Sequence, residues 1–493
     1  MWMSTEKEVP QYQVAIVGTG FSGLCVAIQL KKAGIDSFVL LEKAGEVGGT
    51  WRENTYPGCG CDVQSHLYSY SFYGNPDWSQ KYSGWREIQD YILDCVETFG
   101  LRPYIRFNTT VTGASFREKE GVWEIQIEGG PSLCSRFFVF GTGPLHVPSI
   151  PDIPGLETFG GELFHSSQWK HEVDLNGKRV ASVGTGGSAI QYVPEIAPEV
   201  EKLSVFQRTP AWVAPRFARR YLGIEKWLFR VFPFLRKLYR LWLYMANEAR
   251  VFLMMNPGLI GGVRFLLTAH LKRAIKKPEL LKKLLPTYTP GCKRILLSNT
   301  YYPTFNRENV EVITESIASI QKEGVVTADG KLHPVDVLIF GTGFVTDPRK
   351  YMHLIPITGR AGVSILDIWK EGAEAYLGTT VSHFPNMFMM LGPNTGLGHN
   401  SIIYMIEAQA HYIVQCVKEL ERRKAKFMDI KEKEQILFNE GITEQLKDTV
   451  WSSGCQSWYI QDNGKNFTLW PGATFHFKRR TRKVHFDHYE WVS

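Results

Sequence analysis

The side chains in this sequence that could do chemistry include two adjacent cations, which could bind negatively charged groups, and one distant carboxylate in apolar surroundings. Lys293 and Arg294 directly precede an apolar segment, 295–297, that predicts a buried strand. One cation could bind a phosphate and the other an anionic intermediate, although a solvated basic pair fits the same pattern. Asp62 lies in an apolar, aromatic stretch, where a carboxylate is costly unless it is paired. A turn-capping role for Asp62 stays open.

A glycine fingerprint near the N-terminus indicates a ligand-binding site. Gly18, Gly20 and Gly23 follow the apolar strand predicted at 13–17, and Glu42 ends the next predicted strand. Glycines in this pattern permit a tight turn, close approach of a pyrophosphate and helix–strand contact, while the acid accepts hydrogen bonds from a ribose. The segment predicts a dinucleotide site.

A second fingerprint in mid-chain differs at its acidic position. Gly184 and Gly186 follow a strand predicted at 179–183, and the next strand ends in Gln207-Arg208 instead of Asp or Glu. Arg208 can pair with a 2′-phosphate, and no carboxylate is there to repel it. This pattern favours NADP over NAD, with a plain surface charge at Arg208 as the alternative.

Two matched strand–turn segments divide the chain between these sites. The segments 137–140 and 337–340 each run into Gly-Thr-Gly, and four prolines between 144 and 154 indicate a linker. We therefore predict an α/β fold with two Rossmann-like dinucleotide-binding domains. The predicted boundaries are 1–145 for the first part of one domain, 146–340 for the other with a helical insertion at about 216–290, and 341–493 for the return to the first.

The insertion carries most of the positive charge of the chain. The whole sequence has a net charge of +7, whereas residues 216–283 contain 16 Lys+Arg and 3 Asp+Glu, a net of +13. Apolar residues recur every three or four positions from Trp227 to Met245, which predicts one amphipathic helix packed on its domain with a basic face in water. The alternative is a surface through 216–283 that makes a weak contact with a membrane or that shapes a substrate tunnel. No nucleic-acid motif accompanies the charge, so no nucleic-acid partner is expected.

Cysteine usage and the N-terminal segment bound the cellular context. The eight cysteines show neither C-x-x-C spacing nor histidines at zinc-ligand distances, so we expect reduced thiols and no metal site. The N-terminus resembles neither a secretory signal nor a transit peptide, and no long uncharged apolar run predicts a spanning helix. A cytoplasmic location is expected.

A third motif gives these pieces a family resemblance. Phe159, Gly161, His165 and Trp169 match the signature F-x-G-x-x-x-H-x-x-x-W-(P/D), with Lys170 at the last position. The chain resembles the type I Baeyer–Villiger monooxygenases, within the class B flavoprotein monooxygenases, over nearly its whole length.

The resemblance implies FAD and NADP(H) as cofactors and a role for each matched residue. It implies that Arg294 acts beside the flavin, that Asp62 holds Arg294, and that His165 links the domains without acting as an acid or base. The residues that it and the fingerprints assign to cofactor binding are Gly18, Gly20, Phe21, Ser22, Gly23, Glu42, Gly49, Thr50, Trp51, Asp62, Tyr68, Gly184, Thr185, Gly186, Ser188, Gln191, Arg208, Thr209, Lys293, Asn394 and Trp458.

The implied reaction converts a ketone to an ester or lactone with NADPH and O2, through a C4a-peroxyflavin that attacks the carbonyl. Oxygenation of sulfides or amines is the alternative, and a cation beside the peroxide favours the ketone reaction because it stabilises the anion. A flavin disulfide reductase is disfavoured because the sequence lacks a C-x-x-x-x-C pair near the first helix. A non-catalytic nucleotide-binding regulator would not need Arg294, Asp62 and the signature together. The sequence predicts no oligomeric state.

Overall fold

The computed structural model describes residues 10–454 and 457–493. The β-strands in these residues are β1 Tyr12–Val17, β2 Phe38–Leu41, β3 Ile105–Arg106, β4 Val111–Arg117, β5 Val122–Ile127, β6 Leu133–Phe140, β7 Glu162–His165, β8 Arg179–Val183, β9 Lys202–Phe206, β10 Val213–Ala214, β11 Leu296–Leu297, β12 Val310–Ile313, β13 Ile317–Gln321, β14 Gly324–Thr327, β15 Leu332–Pro334, β16 Val337–Phe340, β17 Ile357–Thr358, β18 Met387–Met389, β19 Phe427–Ile430 and β20 Tyr489–Val492. The α-helices are α1 Phe21–Lys32, α2 Thr50–Glu53, α3 Trp85–Thr98, α4 Ala189–Ile196, α5 Gly223–Val231, α6 Pro233–Met255, α7 Ile260–Ala274, α8 Pro278–Leu284, α9 Tyr301–Thr304, α10 Ile365–Ile368, α11 Ile402–Arg423, α12 Glu432–Leu446 and α13 Thr474–Thr481.

The larger sheet carries the first glycine fingerprint. Its strand order is β17-β4-β5-β6-β1-β2-β3, with β18 pairing β6, and β1 pairs both β2 and β6 in parallel. The strands β17 and β18 come from beyond residue 340, so the chain does return to this sheet. The central strand β1 is apolar and buried, as expected for a parallel strand covered on both faces.

The second sheet is parallel throughout and carries the second fingerprint. Its order is β12-β9-β8-β16-β7, and β8 lies between β9 and β16. The two Gly-Thr-Gly turns after β6 and β16 hold equivalent places, because each lies against the glycine turn of its own sheet. The two sheets agree with the predicted α/β class.

The helical insertion lies between β10 and β11, but it differs from the sequence prediction in two ways. The single helix expected from Trp227 to Met245 is divided into α5 and α6 at Phe232, because Pro233 has no N–H to continue α5 and is tolerated in the first turn of α6. Its apolar residues were expected to pack inward, and that prediction is wrong: Trp227, Leu238 and Met245 are exposed.

The cysteines follow the expectation of free thiols with one exception. Six of those that the structure describes, Cys25, Cys59, Cys61, Cys95, Cys134 and Cys416, are buried and form no disulfide. Cys292 is disulfide-bonded, so the prediction of a reduced thiol is wrong there. Sequence spacing could not reveal this, because pairing depends on three-dimensional proximity. Cys455 lies outside the described residues.

Candidate active site and cofactor sites

The first glycine turn is a backbone cradle that side chains would fill. Gly18 has φ +94°, and a Cβ built on Gly23 would lie 1.9 Å from the Gly18 carbonyl oxygen. A Cβ built on Gly49 would lie 3.1 Å from the Cα of Gly20, so two predicted residues from separate segments come together here. The residues present therefore fit the close approach of a pyrophosphate at the N-terminus of α1.

Glu42 is positioned at the end of β2 beside this turn. Its carboxylate is buried, and it accepts hydrogen bonds from Thr19 Oγ1 at 2.6 Å and from Arg52 Nη1 at 3.0 Å. The ion pair with Arg52 gives this buried carboxylate an oppositely charged partner. Sequence reasoning missed both partners, although Thr19 lies inside the fingerprint itself.

An aromatic wall follows the first turn of α1. Phe21 meets the ring of Tyr68 edge-on at 5.4 Å, and Trp51 Nε1 donates to the Tyr68 hydroxyl at 3.2 Å. Burial raises the pKa of Tyr68. Ser22 is buried in α1, whereas Thr50 is exposed at the start of α2. Such a wall suits one face of a flat ring system.

Asp62 and Arg294, which are 232 residues apart in the sequence, form an ion pair. Arg294 Nη2 donates to Asp62 Oδ1 at 2.8 Å, and about a third of each side chain is exposed. Coulombic attraction by Asp62 raises the pKa of Arg294, against the opposing effect of burial. The carboxylate thus has the partner that its apolar surroundings require, and one edge of the guanidinium is fixed.

Tyr459 lies against this ion pair, and sequence reasoning missed it. Its side chain is buried, its hydroxyl has no hydrogen-bond partner among the described residues, and burial raises its pKa to about 12. Arg294 opposes that rise, so the two groups interact. The predicted Trp458 precedes Tyr459, with its ring 4.4 Å away and half-exposed. Its position next to Trp458 was the one sequence feature that could have pointed to Tyr459.

The second glycine turn repeats the construction of the first. Gly184 has φ +104°, and a Cβ there would lie 2.6 Å from the Gly341 carbonyl oxygen. Thr185 Oγ1 donates to the Thr209 carbonyl at 2.9 Å, which ties the turn to the segment after β9. Gly186 follows in the same turn, and Ser188 is the N-cap residue of α4.

Lys293 interacts electrostatically with Arg208, which precedes the Thr209 that Thr185 of the second turn contacts. Burial first, and then the positive charge of Arg208, lower the pKa of Lys293. Neither cation forms a salt bridge with a carboxylate among the described residues, and Lys293 Nζ lies 5.0 Å from the centre of the Tyr288 ring. Two close cations without an acid fit a multiply charged anion such as a 2′-phosphate.

Gln191 joins the two halves of the molecule. From α4, its Oε1 accepts from the Tyr56 hydroxyl at 2.9 Å, and its Nε2 donates to the Gly60 carbonyl at 3.0 Å. The segment leading to Asp62 is therefore held directly against the second dinucleotide unit. This contact uses a side chain that the resemblance assigned to cofactor binding.

The signature histidine lies where the chain crosses between the sheets. The segments 147–149 and 343–345 pair as two antiparallel linkers, and the buried ring of His165 lies 5.5 Å from the ring of Phe344. Its Nδ1 lies 2.8 Å from Ser167 Oγ, and burial lowers its pKa. His165 therefore packs against the linker pair, and burial favours its neutral form.

The other signature residues shape the same edge of the second sheet. A Cβ on Gly161 would lie 2.2 Å from the Asp336 carbonyl oxygen, so only glycine fits beside Phe159. Trp169 packs at 5.2 Å from Phe164 and 5.4 Å from Tyr192. Lys170, which departs from the signature, forms a 2.8 Å surface ion pair with Glu162.

The glycine-rich turn before α11 is fixed by its own side chains and by the insertion. Asn394 Nδ2 donates to the Asn466 and Leu469 carbonyls at 2.9 and 3.1 Å. His399 is buried, with Nε2 3.7 Å from Glu248 Oε2 of α6. Sequence reasoning missed this contact between the insertion and the turn, since nothing local signals a buried acid on α6.

One surface group has the composition of a metal site. His485, Asp487 and His488 offer ligand atoms within 4.8 Å of one another. Two of the three side chains are exposed, and such surface groups are common without an ion, so we assign no metal to them.

Comparison with known proteins defines the class of the protein. The profile of flavin-binding monooxygenase-like proteins matches residues 11–247. The structure of OTEMO in complex with FAD and NADP superposes with a TM-score of 0.90 at 25% identity, covering 98% of this chain and 100% of that one. Cyclohexanone monooxygenase from Rhodococcus sp. Phi1, bound to NADP+, gives 0.89 at 29% identity with the same coverage. The fold is that of a flavin-dependent monooxygenase with FAD and NADP domains, which confirms the predicted fold class and cofactors.

A closer relative by sequence specifies the family. The chain is 45% identical to a Baeyer–Villiger monooxygenase of Pseudomonas aeruginosa over 477 residues, 96% of this chain and 90% of that protein. The chain belongs to the Baeyer–Villiger monooxygenase family, and the resemblance read from the signature is confirmed. It is an FAD- and NADPH-dependent monooxygenase.

Proposed function

We propose that this protein converts ketones to esters or lactones. The balanced reaction takes one ketone, O2, NADPH and a proton to one ester, NADP+ and water. When bound, FAD supplies the activation of O2, and NADPH supplies the two electrons that the reaction requires.

The ion pair of Arg294 with Asp62 is the observation that carries this proposal. Oxygen insertion beside a carbonyl develops negative charge on oxygen, and a fixed guanidinium in a water-poor site stabilises that charge electrostatically. Asp62 fixes Arg294 through the 2.8 Å contact and raises its pKa, so Asp62 is a positioning residue. Tyr459 is buried and interacts electrostatically with Arg294.

Assignment of the cofactors to the two sheets is part of the proposal. The first glycine turn, with Glu42 and the aromatic wall, would hold FAD within residues 1–145 and 341–493. The second turn, with Lys293 and Arg208, would hold NADP within residues 146–340. Packing of His165 on the linker pair supports a role in setting the relative position of these units, and the burial-lowered pKa argues against a charged acid there.

Ketone and O2 are the proposed substrates, and the proposed cellular location is the cytoplasm. Six of the seven described cysteines are buried without a disulfide, the state expected in a reducing compartment, and Cys292 is the exception. No single helix in the described residues is long and apolar enough to cross a membrane.

Turnover of the purified flavoprotein with NADPH, O2 and a panel of linear, cyclic and aryl ketones plus one sulfide tests the proposal. Mass spectrometry should detect esters or lactones. Arg294→Ala should retain FAD but lower ester formation by about 10²–10³-fold, the typical effect of removing a group that stabilises an oxyanion. The exposed Arg307 gives a matched control, because Arg307→Ala removes the same charge elsewhere in the chain. Sulfoxide as the sole product, or an active Arg294→Ala, would overturn the assignment.

A further inference from the structure

Helix α6 is amphipathic, but its apolar face points outward, whereas an ordinary surface helix turns its apolar face to the core. At 3.6 residues per turn, Phe234, Leu238, Leu241, Met245 and Phe252 fall within about 60° of one another. All five side chains are exposed. The helix therefore presents an apolar stripe, about five turns long, to the outside of the molecule.

The inner face of α6 is polar and well satisfied. Arg240 Nη1 donates to the His66 carbonyl at 2.6 Å, and Asn247 Nδ2 donates to Gln64 Oε1 at 2.8 Å. The carboxylate of Glu248 accepts from Thr474 Oγ1 at 2.9 Å. These contacts fix the rotation of α6 about its own axis. The helix therefore cannot rotate to bury the apolar stripe.

The stripe continues onto α5 through aromatic contacts. Trp227 meets Phe232 edge-on at 6.2 Å, and Phe232 meets Phe234 at the same distance. Of the 23 large hydrophobic side chains exposed in the described residues, 15 lie between 217 and 266. Soluble monomers rarely expose contiguous apolar surface on this scale, and such patches mark interaction sites.

The positive charge around the patch favours one kind of partner over another. Residues 216–283 carry a net charge of +13, and Lys226 and Lys237 beside the stripe form no salt bridge with the carboxylates that the structure describes. A two-fold contact with a second copy would place this positive patch against itself. Basic residues flanking exposed Trp, Phe and Leu instead match the surface of an anionic bilayer.

The geometry favours binding at the surface of the bilayer over crossing it. Among the described helices, only α6 and α7 together reach the length and hydropathy of a span, and they are bent by 100° at their junction. The polar anchors of α6 on the body of the protein also hold the helix along the molecular surface.

We propose that α5 and α6 form a peripheral membrane-binding face, with Trp227, Phe234, Leu238, Leu241 and Met245 inserting at the headgroup–acyl boundary of an anionic phospholipid bilayer. Lys226 and Lys237 contact the headgroups. The proposal is independent of the reaction, because it concerns a face on which no cofactor contact has been placed.

Co-sedimentation of the FAD-bound full-length protein with vesicles tests this face. The protein should bind vesicles of phosphatidylcholine with phosphatidylglycerol, and high salt or phosphatidylcholine alone should weaken binding. Leu238→Glu should lower the partition coefficient at least about tenfold, because it removes an inserting side chain and adds a repelled charge. Leu437→Glu on α12 is the matched control, since Leu437 is 52% exposed and Leu238 57%.

The outcomes separate the proposal from its competitors. Retained FAD content and NADPH oxidation show that both variants are folded. Absence of vesicle binding, or equal loss in the two variants, would overturn the proposal. A dimer that Leu238→Glu dissociates, without any vesicle binding, would assign the face to a second copy of the chain.

Discussion

Replacement of Lys293 by alanine tests the basis of cofactor choice most directly. Burial and, after it, the positive charge of Arg208 lower the pKa of Lys293, so this pair of cations costs stability in the absence of an anion. Adding a 2′-phosphate would supply the missing negative charge. The pair should therefore discriminate NADPH from NADH.

The magnitude follows from one charge-assisted hydrogen bond per cation. A hydrogen bond to a charged group contributes about 1.5–3 kcal/mol, which corresponds to a factor of about 10–150 in kcat/KM. Lys293→Ala or Arg208→Ala should thus lower the NADPH-over-NADH preference by that factor. Nearly all of the loss should appear with NADPH, because NADH lacks the phosphate. Removing one cation also relieves the repulsion on the other.

The assay is steady-state NAD(P)H oxidation by each variant with one fixed ketone. Lys331 offers a matched control, because it is an exposed lysine in the β14–β15 turn of the same half of the protein. Lys331→Ala should leave the preference unchanged. An unchanged ratio in Lys293→Ala, or an equal loss with both coenzymes, would refute the reasoning.

Two further substitutions are informative: one at His66, which contacts the insertion, and one in the second glycine turn. Burial lowers the pKa of His66 to about 3, so stability present above pH 6.5 is lost on acidification; wild type should lose about 2 kcal/mol between pH 8 and pH 5. Denaturation midpoints at the two pH values should show this loss largely absent in His66→Phe, and an equal loss would contradict it. A Cβ on Gly187 meets nothing within 4 Å, so Gly187→Ala should fold and keep FAD while raising the KM for NADPH about tenfold. Gly441→Ala in α12 is equally open and should leave that KM unchanged, and the same KM in both variants would place the pyrophosphate elsewhere.

The glycine turns show what the sequence alone determines. Gly23 sits where a Cβ would meet the Gly18 carbonyl oxygen, a steric requirement within the turn that can be read without the fold, whereas a Cβ on Gly18 or Gly184 would meet the distant Gly141 or Gly341. The strand–turn–helix order around them is local too, and it yielded the α/β class and the two dinucleotide sites, whereas the signature motif yielded the family and, with it, FAD.

The tertiary structure alone decided the contacts between distant segments. Arg294 finds Asp62 across 232 residues, and Tyr459 lies against that pair, because the second dinucleotide unit folds back onto the first. The direction of α6 was predicted wrongly for a related reason. Its periodicity defines an apolar stripe, but contacts of Arg240 and Glu248 with the body of the protein decide which face of the helix turns inward. Periodicity fixes the spacing of a stripe, whereas only the partners of the opposite face fix its direction.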